Sequence, residues 1–201
     1  MIDLLDVSLR RFLLAELGFG EDDLDVTFDA PDRDWGASVT RATVNLFLWD
    51  VRRNMAEQHS GSEVVLDAEG VKVRRPPLPR IDCRYLVTAW TSDAADEHEI
   101  LGELLRVLLP VTSLREEYCE PALAAIRPLP ALQAALPDGR DAADFWSALG
   151  GQLRPGLDLL VTMSIPTGPS VPVGTAVSRR RVGATEIPRP PKPDAWSEPV
   201  P

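Results

Sequence analysis

Histidine and cysteine are scarce in this chain, with two of each among 201 residues. His59 lies in a polar stretch, His98 in an acidic one, and neither stands at metal-ligand spacing from Cys83 or Cys119. A zinc centre and a histidine-based triad are therefore not expected. The cysteines are far apart, and Cys83 falls on the inward side of an expected core strand. Both read as buried free thiols rather than a disulfide, which fits a reducing compartment. Long apolar runs are also missing: none approaches the roughly twenty residues needed to cross a bilayer. The first residues carry acids where a secretory leader has bases, and Ile2, Leu5, Leu9, Phe12 and Leu13 are spaced as a helix face. No export leader and no membrane partner are expected, and the cytoplasm is the expected compartment.

Phosphate-cradling loops are absent too. Gly18-Phe19-Gly20 lacks a preceding strand, and Gly150-Gly151 follows a helical pattern instead of opening one. No serine sits in a nucleophile-elbow context. The acids Glu21, Asp22, Asp23, Asp25 and Asp29 lack the alternation and closing glutamate of a calcium loop, so they read as a solvated face. Asp93, Asp96, Glu97 and Glu99 are accounted for by the positive end of a helix dipole. The expectation is a protein with no catalytic residue, no cofactor and no metal, and not an enzyme.

Positive charge is in short supply as well. Twenty-one lysines and arginines face thirty-one acids, a net charge of −10 with a pI near 4.7, so broad nucleic-acid binding is disfavoured. The charge is uneven. From residue 166 onward there are five bases and three acids, a net of +2, which leaves −12 for the body. Nine of the nineteen prolines fall in the same stretch. Residues 1–165 read as one folded domain and 166–201 as a proline-rich extended arm.

What is present is clearest between Arg80 and Pro110. Ile81, Cys83, Tyr85, Val87 and Ala89 alternate with Asp82, Arg84, Leu86, Thr88 and Trp90, a strand pattern with apolar residues on both faces. Such a strand belongs inside a sheet. Ser92 or Asp93 caps a helix whose inward face is Ile100, Leu101, Leu104, Leu105, Val107 and Leu108, and Pro110 ends it. The spacing elsewhere predicts a helix over 2–17 ended by Gly18 or Gly20, a strand from Leu24 to Phe28 and a loop over 31–42. Thr43–Trp49 reads as a buried strand. A protruding hairpin over 63–74 turns at Gly70. Ser113–Tyr118 makes a helical turn, Asp138–Asp141 a chain turn, Asp141 caps a short helix ending at Gly150, and Gly156–Ile165 is a last strand. Pro121–Pro137 carries no clear pattern. The fold class is α+β: a single mixed or antiparallel sheet flanked by helices, with the hairpin and the arm projecting from it.

Trp49, Tyr85, Trp90 and Trp146 sit on expected elements and read as core. Trp35, on the expected loop, and Trp196, in the arm, do not. An indole in a proline-rich arm is a candidate docking anchor, and Arg179, Arg180 and Arg181 are suited to an acidic neighbour. With Val65, Val71, Val73 and Arg74 of the hairpin they make the candidate interface.

Three separated segments carry a resemblance. Val44–Asn54, Pro79–Leu109 with its Tyr85–Trp90 and Glu97–Gly102, and Trp146–Pro155 leading into Leu157–Ile165 resemble, in order and spacing, the N-terminal domain of the cap or tail-terminator proteins of contractile injection systems. These are phage-tail-like particles of the antifeeding-prophage and virulence-cassette type. The resemblance covers most of 2–165 and leaves out 55–75 and the residues after 166. It implies a ring, in that family a hexamer, that closes the inner tube distal to the baseplate and engages the last sheath layer. The implied partners are further copies of the chain, the inner tube protein and the sheath protein, with particles built in the cytoplasm and kept there or released by lysis. A competing reading is a monomeric cytoplasmic assembly factor, or adaptor, for tail components.

Overall fold

The computed structural model describes residues 1–173 apart from 20–22, 59, 67–68, 137–141 and 169. In chain order the elements are α1 (Ile2–Leu17), β1 (Asp25–Thr27), α2 (Arg33–Ser38), β2 (Thr43–Arg53), β3 (Glu63–Leu66), β4 (Lys72–Arg75) and β5 (Arg80–Trp90). They continue with α3 (Ala94–Leu108), a 3₁₀ turn at Glu116–Tyr118, α4 (Pro121–Ala124), β6 (Ala131–Ala134), α5 (Ala142–Leu149), β7 (Gly156–Ser164) and β8 (Val171–Pro172). Five strands form one sheet in the order β1-β2-β5-β7-β6. Only β1 runs parallel to its neighbour, and the other pairings are antiparallel. The expected interior strand is the middle one.

Both faces of β5 are covered, which is why its alternation is apolar on both sides. Cys83, Tyr85, Val87 and Ala89 face the larger core with Leu5, Leu9, Phe12 and Leu13 of α1 and Ile100, Leu104 and Leu108 of α3. Leu86 and Trp90 face a smaller aromatic core with Trp146, against which Trp35, Trp49 and Phe145 pack. The rings meet edge to face, Trp35 on Trp90 at 5.0 Å between centroids and Trp49 on Phe145 at 5.9 Å, the arrangement that ring quadrupoles favour. The sheet is thus a middle layer, with α1 and α3 on one side and α2 and α5 on the other.

Local signals explain most helix ends. Gly18 closes α1 at φ 72°, a conformation costly for any residue with a Cβ. Asp93 caps α3 by accepting from the Ala95 amide at 2.7 Å. Gly150 follows α5 at φ 69°. Asp141, the expected cap of α5, and the Asp138–Asp141 turn lie outside the described residues, as do Gly20 and His59. Cys83 and Cys119 are buried free thiols. Burial, with Asp6 and Asp82 nearby, pushes the Cys83 thiol up to about 11, and a protonated thiol is unreactive.

Several expectations are corrected. Residues 31–42 contain α2, because Asp32 accepts from the Trp35 amide at 2.8 Å and starts a helical turn. That turn sets Trp35 on Trp90 with its indole donating to Asp29 at 3.2 Å. The strand at Thr43 runs on to Arg53, with a register shift between Leu48 and Asp50. The unassigned stretch after Pro121 supplies α4 and the edge strand β6. Leu105 is only half-buried, whereas Glu97 is buried on the inward face of α3. Arg154 pairs with it and lies over the Trp90 ring, 4.2 Å from the centroid.

A part-buried polar contact ties α1 to the sheet. The Tyr85 hydroxyl donates to Asp6 Oδ1 at 2.7 Å, and burial raises the Asp6 carboxyl above its ordinary value near 3.8, against the Tyr85 bond that lowers it. An acid raised by folding stabilises most below its unfolded pKa, and that contribution disappears as pH rises through the folded one. Asp6→Asn keeps an acceptor for Tyr85 and removes the titration. Denaturant unfolding from pH 3 to 7 should show the natural chain losing stability, relative to the variant, as pH climbs above the ordinary carboxylate range. Parallel curves would contradict the assignment.

Candidate assembly interface

The hairpin at 63–74 forms, but it is not alone. Val171 and Pro172 pair with Arg74 and Val73, giving a second sheet in the order β3-β4-β8. The expected single sheet with a free hairpin is therefore two sheets, and the described start of the arm is a strand of the second. This second sheet repeats the middle of the first. β3 follows β2, β4 precedes β5 and β8 follows β7, so β3-β4-β8 matches the order β2-β5-β7. Along the chain, the three strands of the second sheet are thus the sequence neighbours of β2, β5 and β7, and the two sheets pair separately. Prolines explain two of the three breaks, at 76–79 and 165–170, since Pro76, Pro77, Pro79 and Pro166 cannot donate to a ladder.

Where the two sheets part, the strands are held by polar side chains. Arg80, only 7% exposed, donates from Nη1 to Ser164 Oγ at 3.1 Å and from Nε to Glu57 Oε2 at 3.0 Å. Asn54 Nδ2 donates to Asp82 Oδ1 at 3.0 Å, and Thr162 Oγ1 donates to the same oxygen at 2.7 Å. Asn54 Oδ1 in turn accepts from the Glu57 amide at 2.9 Å. A buried guanidinium persists only where such partners offset its lost hydration. These contacts fix where the three connecting segments leave the first sheet.

The strand register sets what the second sheet presents. Val64 lies opposite Arg74, Arg74 opposite Val171, and Leu66 opposite Lys72. One face therefore carries Val64, Leu66 and Val171, at 52%, 64% and 59% exposure, interspersed with the cations Lys72 and Arg74. The reverse face carries Val65 beside the buried Val73, with Glu63 and Arg75 ion-paired at 2.9 Å. Of the residues named from sequence, Arg74 lies on the exposed face and Val71 is exposed beside the turn. Val65 and Val73 lie on the reverse face, where Val73 is covered by the chain itself and presents no surface. Arg179, Arg180, Arg181 and Trp196 lie outside the described residues.

Sequence reasoning missed Val64, Leu66, Lys72 and Val171. Both faces of this short ribbon contain valine, so alternation alone could not say which was covered. Among the described residues no group of three or more histidine, cysteine or acidic side chains is arranged to hold a metal, and no helix is long and apolar enough to cross a membrane. The surface is suited to adhesion, with exposed aliphatic area for burial and cations for orientation.

The Arg80 contacts make a testable link between core and interface. Arg80→Met should cost about 1–3 kcal/mol in denaturant unfolding, the scale of leaving buried polar partners unpaired. Amide exchange should rise most across 63–66 and 72–75. Unchanged exchange there would separate Arg80 from the placement of the second sheet.

Comparison with known proteins places this geometry. No curated protein sequence matches the chain. Among solved structures, the sheath/tube terminator of the extracellular contractile injection system PVC, in its extended state, shares the fold with a TM-score of 0.66. Identity is 20% over 93% of this chain and 65% of that one. The tube-terminating cap of the anti-feeding prophage matches with a TM-score of 0.65 and 19% identity, over 92% of this chain and 61% of that one. The chain thus spans less than two thirds of either protein's length. The model of the Pvc16 N-terminal domain matches residues 5–179, running through the second sheet that the sequence resemblance left out. On that match, across most of its length, the chain belongs to the Pvc16 N-terminal domain family.

Proposed function

We propose that this chain is a structural cap of a contractile injection system: a ring of identical copies that closes the inner tube and engages the terminal sheath layer. The observation that carries the reading is the family match over 5–179, joined by a shared fold with two proteins described as tube terminators. The physical features agree with it. The described residues contain an anchored sheet with an exposed aliphatic and cationic face, and rings are built from repeated heterologous contacts between such surfaces. In this reading the ring is a hexamer, copies assemble in the cytoplasm, and the work is done by shape and adhesion with no bond made or broken. The arm after residue 166 adds contacts to neighbouring copies, tube or sheath, with Arg179, Arg180, Arg181 and Trp196 as its anchors.

Three experiments test this. Particles assembled without the chain should have tubes of uneven length and open far ends, whereas uniform, closed tubes would overturn the capping role. A chain that stays monomeric and never co-purifies with sheathed particles would instead support the adaptor reading. Deleting residues 167–201 removes β8 together with the arm, and should weaken ring formation and capping. Ring size and capping left unchanged would remove the arm from the account.

A further inference from the structure

The two ends of the first sheet differ in a way the fold does not require. At the end where β2 and β7 finish lies the second sheet, with its exposed aliphatic residues and the cations Lys72 and Arg74. At the other end, ten residues along β5 or about 33 Å, the chain encloses a groove of about 380 Å³. Phe19, Val39 and Ile100 give it apolar lining, and Asp96 and Glu99, both exposed on the first turns of α3, give it acidic lining. The cation of the groove, Arg41, is paired with Asp25 at 3.4 Å. The acids therefore set the sign of the charge.

We propose that the exposed face of the second sheet of one copy seats in this groove of the next copy. Lys72 and Arg74 face Asp96 and Glu99, while Val64, Leu66 and Val171 cover the apolar lining. The occupant is a second copy because both halves of the match, apolar to apolar and cation to carboxylate, are on this chain. Complementary charges of this kind set orientation and partner choice more than raw affinity. The two halves lie at opposite ends of the same strands, so the contact is head-to-tail, and its repetition closes a ring or extends a filament. The inference rests on the ring-forming reading above and adds which surfaces meet.

The test is a charge swap in the full 201-residue chain. Lys72→Glu with Arg74→Glu makes one variant, and Asp96→Lys with Glu99→Lys the other. By sedimentation or single-particle mass at low salt, each variant alone should associate at least tenfold more weakly than the natural chain. An equimolar mixture should recover the assembly. A natural chain that stays monomeric overturns the proposal, as does a variant that assembles normally or a mixture that fails to recover. Should a reversed chain melt early, Lys72→Gln with Arg74→Gln, and Glu99→Gln, carry the weakening arm of the test, each alone, with a smaller loss. Variants that still form rings and cap tubes would defeat this contact and leave the capping role standing. Absence of self-association and of tube-end localisation in the natural chain would defeat both.

Discussion

Strand β5 is hydrogen-bonded on both sides over nearly its whole length, from Arg80 opposite Ser164 to Trp90 opposite Thr43. Its two faces both carry large apolar side chains, Tyr85 and Val87 on one and Leu86 and Trp90 on the other, so neither can be left to water. One face must be covered by α1 and α3, the other by the aromatic cluster around Trp90. The position of every described helix that packs on this sheet follows from that requirement. So does the placement of the candidate interface, since β2, β5 and β7 adjoin β3, β4 and β8 along the chain.

Polar groups sit where apolar packing cannot specify geometry. Tyr85 and Asp6 register α1 against the sheet. Glu97 and Arg154, stacked on Trp90, register the start of α3 against the segment before β7. Arg80, Ser164, Asp82 and Asn54 hold the strands where they separate. Each contact joins residues distant in sequence, and each costs stability when one partner is lost.

Period-two alternation made β5 and β7 legible, and the Asp93 cap with the stripe from Ile100 to Leu108 made α3 legible, because those signals are local. The helix at Arg33–Ser38 was not legible. Its cap is a single aspartate, and its stability comes from Trp35 finding Trp90 far along the chain. Glu97 read as a dipole residue, since nothing near it announces Arg154. At the candidate interface the hairpin and its turn at Gly70 were readable. Which face it presents was not, because valines occupy both faces, and the pairing of Val171 with Arg74 depends on a strand nearly a hundred residues later. Contacts between distant segments decide those points, and no spacing rule encodes them.

The capping reading joins these observations: a doubly covered sheet supplies a rigid body, and the second sheet, adjoining its middle strands along the chain, supplies the adhesive edge. A reconstruction by electron cryo-microscopy of the far tip of sheathed particles tests this most directly. The account predicts a closed ring of this chain on the last tube layer, with each second sheet in contact with a neighbouring subunit. A tip lacking the chain, or holding it with the second sheets free in solvent, would contradict it.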